Sequence, residues 1–125
     1  MLRGRVIVVE DDAASRKALA LLLRHGGFEA AQAAGVAEAV ALLEAARSAP
    51  DLPAAIVLDL MLPDGSGGEV LAHVRRLNLP VKVALATGAA DWRELVDLAR
   101  GRPDAVFTKP LDFPRLLKWI EAACE

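Results

Sequence analysis

Apolar residues recur along this chain with two alternating spacings, and each spacing predicts one kind of element. Short apolar runs predict buried strands, whereas apolar residues three or four positions apart predict amphipathic helices. The runs predict five strands, at residues 6–9, 28–31, 55–59, 81–87 and 105–108. The helical spacing predicts five helices, at residues 15–25, 36–47, 67–77, 91–100 and 112–123. Gly26 and Gly27 are expected to end the first helix.

Strands that alternate regularly with helices predict a single α/β domain built on a parallel sheet. Right-handed crossovers place helices on both faces of the sheet, which makes a three-layer (βα)5 sandwich. Of the two common doubly wound strand orders, five strands fit the order 2-1-3-4-5. That order reverses between strands 1 and 3, and ligands bind at such a reversal, outside the carboxyl ends of the strands. The sequence therefore predicts a binding site at this edge of the sheet.

Composition and charge narrow the function classes. The chain has 125 residues, of which 54% are hydrophobic and 26% charged, so we expect one domain over residues 1–125 with no output domain. The net charge is −2 and the basic residues are scattered, which argues against direct nucleic-acid binding. No apolar run approaches the ~20 residues that span a bilayer, and no signal pattern precedes the first strand. The single Cys124 suits a reducing compartment, so the expected location is the cytoplasm.

Charged and hydroxyl side chains follow four of the predicted strands. Glu10 and Asp11 follow strand 1, Asp59 ends strand 3, Thr87 ends strand 4, and Lys109 follows strand 5. Carboxylates ~4 Å apart would repel by about 4 kcal/mol per pair at an effective dielectric near 20. A divalent cation removes this repulsion, and hard oxygen ligands favour Mg²⁺ over zinc. A carboxylate beside Mg²⁺, a lysine and a hydroxyl suits phosphoryl transfer onto the carboxylate itself.

Four segments of the chain resemble the motifs of response-regulator receiver domains, the CheY-like switches of two-component signal transduction. In chain order they are VIVVEDD, IVLDLMLPDGSG, ALATG and FTKP. The likeness covers essentially the whole chain and implies a flavodoxin-like fold. It also implies a phosphorylated switch that assists its own phosphorylation and dephosphorylation, not a turnover enzyme. The implied partners are a sensor histidine kinase or a histidine phosphotransfer protein of a phosphorelay, and a downstream effector that the sequence does not identify.

The resemblance implies a role for each matching residue. Asp59 is the implied phosphoacceptor, Thr87 the switch hydroxyl and Lys109 the cation that pairs with the phosphoryl group. The implied metal is Mg²⁺, with Mn²⁺ as an alternative. Its implied ligands are the side chains of Glu10, Asp11 and Asp59 and the backbone carbonyl of Met61. The Lys109–Pro110 bond is expected to be cis, as is usual in the family.

One position departs from the family pattern. An aromatic residue usually lies three positions before the lysine and moves with the switch hydroxyl, but here that position is Val106. Phe107 follows it, on the opposite face of the strand. Because Val106 has no ring to rotate, we expect the loop after Thr87 to transmit the change instead.

Other polar and aromatic residues have simpler interpretations. Asp12 is expected to cap the N-terminus of the first helix and to border the site. Asp64, the nearest rival phosphoacceptor, belongs to the turn-forming segment PDG. His25 is expected at the C-terminus of the first helix, where the helix dipole favours it. His73 is expected on the surface, and Trp119 is expected to be exposed on the last helix.

Three other classes of site fit this sequence less well. A phosphatase with an aspartyl nucleophile needs a second Asp two residues later, where this chain has Met61. A flavin site is disfavoured because Glu10, Asp11 and Asp12 would repel the phosphate of the cofactor. A nucleotide site is disfavoured because no glycine-rich turn follows the first strand. A receiver-like protein-interaction module that works without phosphorylation is the alternative function.

Overall fold

Seven strands and four helices make up the secondary structure of the residues described in a computed structural model, 3–48, 52–88 and 102–125. The strands are β1 (Arg5–Val9), β2 (Glu29–Ala33), β3 (Ala55–Asp59), β4 (Met61–Leu62), β5 (Gly65–Ser66), β6 (Lys82–Thr87) and β7 (Ala105–Thr108). The helices are α1 (Ala13–His25), α2 (Val36–Ser48), α3 (Gly67–Arg76) and α4 (Phe113–Ala123). The helix predicted at 91–100 lies outside the described residues.

Five parallel strands form the main sheet, in the order β2-β1-β3-β6-β7. Counting only the strands of this sheet, the order is 2-1-3-4-5, so the predicted topology is confirmed. The short strands β4 and β5 form a separate antiparallel hairpin between β3 and α3. The register pairs Val9 with Leu58. Glu10 and Asp59, which follow these two residues, therefore lie side by side at the carboxyl edge of the sheet.

Two hydrophobic clusters cover the two faces of the sheet. Helices α2 and α3 pack on one face through residues such as Leu43 and Leu71, and α1 and α4 pack on the other through Leu23 and Ile120. All five residues of β3 are buried, because helices cover this central strand on both sides. Within the described residues, none of the helices has both the length and the hydrophobicity needed to cross a membrane.

The end of α1 lies where the two glycines predict it. Gly26 is the C-cap, and Gly27 has a φ of 92°, a conformation that glycine adopts at little cost. The backbone N–H of Phe28 still donates to the carbonyl of Leu23 at the end of the helix. Strand β2 therefore begins one residue later than predicted.

Some of the apolar residues spaced three or four positions apart on α1 and α4 are not buried. Leu19 and Leu23 of α1 are buried, but Ala18 is exposed and Leu22 is 45% exposed. On α4, Phe113 is 42% exposed. The reason is that Leu22 and Phe113 line a groove between the two helices instead of lying over the sheet.

Two side chains predicted to be exposed are packed between elements, so these predictions were wrong. The His73 side chain is only 13% exposed, and its Nε2 lies 3.0 Å from Oε1 of Glu44 on α2. Trp119 is half-buried, with its ring edge-on to that of Phe107 at a centroid distance of 6.2 Å. Glu44 lies on another helix and Phe107 on a strand of the sheet, so the apolar pattern of a single helix reveals neither contact. His25 is the last residue of α1, as predicted, and its side chain is exposed.

Asp104 joins helix α3 to the edge of the main sheet. Its Oδ2 accepts hydrogen bonds from Nη2 of Arg75 at 2.8 Å and from the backbone N–H of Val83 at 2.7 Å. Partial burial alone would raise the pKa of this carboxyl group. The hydrogen bonds from Arg75 and Val83 outweigh burial and hold the pKa below its ordinary value.

We predict that acid destabilises the protein partly through Asp104. Because its pKa is lower in the folded chain, the carboxylate contributes stability above its ordinary pKa of about 3.9, and this is lost as pH falls through the folded value. Urea unfolding as a function of pH should show stability falling below about pH 4. The decrease in stability between pH 4 and lower pH should be smaller in Asp104→Asn than in wild type. In the exposed control Glu125→Gln it should equal that of wild type. An Asp104→Asn variant with the wild-type pH dependence would contradict this assignment.

Candidate functional site

Three carboxylates converge where the sheet order reverses. Oxygen atoms of Glu10, Asp11 and Asp59 all lie within 4.8 Å of one another. Asp59 is buried at 7% exposure, Glu10 is half-buried and Asp11 is exposed. The cluster therefore opens to solvent on the side of the β1–α1 loop. Adjacent parallel strands carry these acids, so their convergence follows directly from the strand order.

The ammonium group of Lys109 lies between two of these carboxylates. Its Nζ is 2.8 Å from Oδ2 of Asp59 and 3.1 Å from Oε2 of Glu10. Partial burial would lower the pKa of Lys109, but the hydrogen bonds to Asp59 and Glu10 outweigh it and raise the pKa above its ordinary value. The lysine is therefore charged at neutral pH. The Lys109–Pro110 peptide bond is cis, as predicted.

Thr87 lies at the same edge of the sheet. It ends β6 one residue beyond Ala86, which pairs with Asp59 in the strand register. The side chain is buried at 2% exposure, and the Thr87 carbonyl accepts a hydrogen bond from the backbone N–H of Lys109 at 3.0 Å. The structure thus places Thr87 and Lys109 on neighbouring strand ends beside the carboxylates.

Arg16 orders the acidic loop, a contact that the sequence analysis missed. Its Nη1 donates to the backbone carbonyl of Glu10 at 2.9 Å, and the backbone N–H of Asp12 donates to Oε1 of Glu10 at 3.1 Å. Asp12 caps α1 as predicted, because its side chain accepts from the backbone N–H of Ser15 at 3.0 Å. An arginine one turn into the first helix, after an acidic run, is a sequence signal that could have indicated this contact.

A close backbone approach requires glycine at the first residue of α3. A Cβ at Gly67 would lie 2.2 Å from the carbonyl oxygen of Asp59 and 3.1 Å from Cγ of Leu58. The backbone N–H of Gly67 also donates to the carbonyl of Leu60 at 2.7 Å. Gly67 therefore allows α3 to begin directly against the Asp59 backbone. This role was not predicted, although two consecutive glycines at the start of a helix are a visible signal in the sequence.

Met61 begins the hairpin that follows Asp59. Its backbone N–H donates to Oδ1 of Asp59 at 3.3 Å, while its side chain points outward and is 64% exposed. Asp59 thus has one oxygen held by a backbone donor and the other by the Lys109 ammonium. Both contacts orient the Asp59 carboxylate.

The donor atoms of this cluster fit a hard divalent cation. All three side chains offer carboxylate oxygens, and neither His nor Cys belongs to the cluster. Such a donor set favours Mg²⁺, which binds through a few carboxylates and keeps several waters. Beside Asp59 and Lys109 a cleft of about 330 Å³ opens, lined otherwise mainly by apolar residues such as Val8, Val57 and Ala86. Glu10, Asp59 and Lys109 line the acidic end of this cleft.

The fold and the site together define a class of protein: a doubly wound α/β domain with an acidic cluster and a lysine at its switch point. The family profile described as the response regulator receiver domain matches residues 6–121. The chain therefore belongs to the response-regulator receiver family. Receiver domains are signalling switches and not turnover enzymes, although they have autophosphorylation and dephosphorylation activity.

Similar proteins come from several organisms. The chain is 32% identical over 120 residues to nodulation protein W of Bradyrhizobium diazoefficiens, covering 96% of this chain and 51% of that protein. It is 32% identical over 120 residues to the phosphate regulon transcriptional regulatory protein PhoB of Escherichia coli, covering 94% and 50%. This chain thus spans about half the length of these curated relatives. A CheY-like receiver domain protein from Methanospirillum hungatei has a solved structure that matches with a TM-score of 0.83 and 28% identity, covering 99% of this chain and 94% of that one.

The strand before Lys109 presents Val106 and Phe107 to opposite faces of the sheet, as predicted. Val106 packs against the cluster beneath α2 and α3. Phe107 is buried in the cluster beneath α1 and α4. Its ring lies against Trp119 of α4. The aromatic side chain of this strand is therefore held in the core on the face away from Val106.

Proposed function

We propose that Asp59 accepts a phosphoryl group from a histidine side chain of a partner protein, in a Mg²⁺-dependent reaction. The partner is a sensor histidine kinase or a histidine phosphotransfer protein. The observation that supports this most is the contact of Lys109 with buried Asp59 beside two further carboxylates. One ammonium does not neutralise three carboxylates, so the cluster has a net negative charge that a divalent cation would balance.

Four groups would hold the metal ion. They are the carboxylates of Glu10, Asp11 and Asp59 and the backbone carbonyl of Met61. When bound, Mg²⁺ would neutralise the negative charge of the carboxylates and of the oxygens on the incoming phosphoryl group. Mn²⁺, which also prefers oxygen ligands, is expected to replace it.

The transfer itself is a displacement at phosphorus. A carboxylate oxygen of Asp59 forms a bond to phosphorus, the P–N bond to the donor imidazole breaks, and the imidazole leaves with the electron pair of that bond. Lys109 already lies within hydrogen-bond distance of Asp59 Oδ2. Its ammonium can therefore pair with the transferred group with little rearrangement, which is how preorganised charge lowers a barrier.

The phosphorylated site would act on its surroundings through Thr87. We propose that the Thr87 hydroxyl turns toward the phosphoryl oxygens and shifts an equilibrium between two surface conformations that a downstream effector distinguishes. Val106 has no ring that could follow this movement. The segment after Thr87 is proposed to carry the change, and beyond Gly88 it lies outside the described residues.

Phosphorylation of the purified protein tests the proposal. Wild type is incubated with a small phosphodonor and Mg²⁺, and intact mass is measured. Wild type should gain one phosphoryl group, whereas Asp59→Asn should gain none because it lacks the nucleophilic carboxylate oxygen. Chelation of the metal should abolish the gain in wild type. The exposed variant Glu125→Gln should be labelled as efficiently as wild type.

Two outcomes would count against this function. Labelling of Asp59→Asn at the wild-type level would show that another residue is the acceptor. Wild type that gains no phosphoryl group, from the small donor or from a phosphorylated histidine protein, would instead favour an interaction module that works without phosphorylation.

A further inference from the structure

Helix α2 is capped by a residue far away in the sequence. The residue before it is Gly35, which has no side chain to bond the free N–H groups of the first turn. Asp64 supplies the missing acceptors: Oδ1 accepts from the backbone N–H of Val36 at 2.7 Å, and Oδ2 accepts from that of Ala37 at 3.0 Å. One carboxylate from the β4–β5 hairpin thus satisfies two backbone donors of α2.

Gly35 and Asp64 fit each other sterically. A Cβ at position 35 would lie 2.6 Å from Oδ1 of Asp64 and 3.0 Å from its Cγ. The carboxylate therefore occupies the space that a local capping side chain would need. The hydrogen bonds from Ala37 and Val36 also lower the pKa of Asp64, so the cap is ionised at neutral pH. This interaction requires Gly35 as well as Asp64.

The other end of the same hairpin is anchored to α3. Strands β4 and β5 pair Met61 with Ser66. The side chain of Ser66 accepts from the backbone N–H of Gly68, and Glu69 accepts from the backbone N–H of Ser66, which together form a capping box. The hairpin is therefore held by α3 at its base, where Ser66 lies opposite Met61, and by α2 at its tip.

We propose that Asp64 is a positioning residue for the metal ion, because it ties the hairpin tip to α2 and so holds the Met61 carbonyl in place. This inference rests on the proposed Mg²⁺-dependent function. A hairpin with two residues in each strand is marginally stable alone, so without the tie the carbonyl would have to be ordered when the ion binds. By reciprocity, metal binding should in turn strengthen the contact between Asp64 and α2.

Removing the carboxylate tests the inference. We expect calorimetry to show that Asp64→Ala binds Mg²⁺ about three- to tenfold more weakly than wild type. This loss is smaller than the ~10–100-fold typical when a residue in direct contact with a metal ligand is replaced. Asp64→Asn keeps one acceptor oxygen, so its Mg²⁺ affinity should lie between those of wild type and Asp64→Ala. If Asp64→Ala does not fold, the comparison of Asp64→Asn with wild type carries the test. Affinities equal to that of wild type in the folded variants would overturn the inference.

A second substitution separates positioning from stability. In Asp64→Ala, the nearest atoms that a Cβ at position 35 would meet are gone, so Gly35→Ser can supply α2 with a local cap. The double variant should recover much of the lost stability in urea unfolding, while its Mg²⁺ affinity should stay low. Recovery of both properties together would show that Asp64 acts only through the stability of α2.

Amide chemical shifts give a readout that does not depend on phosphorylation. Titration of wild type with Mg²⁺ should shift the N–H signals of Val36 and Ala37, and these shifts should be lost in the double variant Gly35→Ser/Asp64→Ala. Wild type that binds no Mg²⁺ would overturn the proposed function together with this inference. Wild type that binds Mg²⁺ without any response at Val36 and Ala37 would overturn this inference alone.

Discussion

Replacing Gly67 with alanine is expected to lower the free energy of unfolding by about 2–3 kcal/mol, the cost of forcing a methyl group into a filled space. The new Cβ would lie 2.2 Å from the carbonyl oxygen of Asp59, and backbone atoms cannot rotate away as a side chain can. Either the start of α3 or the end of β3 must move. Because the second movement displaces Asp59, phosphorylation by a small donor should also slow. Urea unfolding and intact mass measure the two effects.

A second glycine provides the control for this substitution. A Cβ at Gly88 would have no atom of the described residues within 4 Å, so Gly88→Ala should change the free energy of unfolding by less than about 0.5 kcal/mol. A loss of stability in Gly88→Ala as large as that in Gly67→Ala would point to a general cost of replacing glycine. Wild-type stability in Gly67→Ala would show that α3 does not approach Asp59 this closely.

Replacing Lys109 with alanine is expected to have opposite effects on chemistry and on metal binding. Phosphorylation of Asp59 should slow by about 10²–10³-fold, the range found when one preorganised donor is removed from a reacting site. Mg²⁺ should bind more tightly, because Asp59 and Glu10 lose the ammonium that lies 2.8 and 3.1 Å from their oxygens. Initial phosphorylation rates at saturating Mg²⁺ and calorimetry separate the two effects.

Two lysine variants control for charge and for geometry. Lys118 is exposed on α4, so Lys118→Ala should leave both the rate and the Mg²⁺ affinity unchanged. Lys109→Arg keeps the charge, but its planar guanidinium cannot occupy the position of a compact ammonium, and we expect partial recovery of the rate. A Lys109→Ala variant that lost phosphorylation and Mg²⁺ affinity together would indicate collapse of the site instead of loss of one charge.

The cluster of Glu10, Asp11 and Asp59 could be predicted because a parallel sheet brings the ends of all its strands to one edge. Each apolar run in a sheet of this kind ends at the same edge, so the polar residues that follow the runs must collect there. Glu10 and Asp59 are 49 residues apart, yet the strand order alone brings their strand ends together. The register of β1 with β3 then makes these two carboxylates neighbours.

Contacts made by loops and helices could not be predicted from the strand order in this way. Asp64 belongs to a turn-forming segment, and nothing in its own neighbourhood indicates that it caps a helix that begins 28 residues earlier. His73 was expected on the surface and Trp119 was expected to be exposed, whereas a neighbouring helix and the sheet supply their partners. The three cases have one cause. The local sequence pattern shows which face of an element is apolar, but it does not show which residues of other elements contact that face.

By itself, the sequence determined the alternation of strands and helices, the strand ends that carry acids, hydroxyl and lysine, and the family to which they belong. These features depend on residues close together along the chain, where periodicity and turn chemistry act directly. Only the tertiary structure decided that Gly67 lies against the Asp59 backbone, that Lys109 is shared by two carboxylates, and that Asp64 caps α2. Such contacts depend on distances between separate elements, which are set when the helices pack on the sheet.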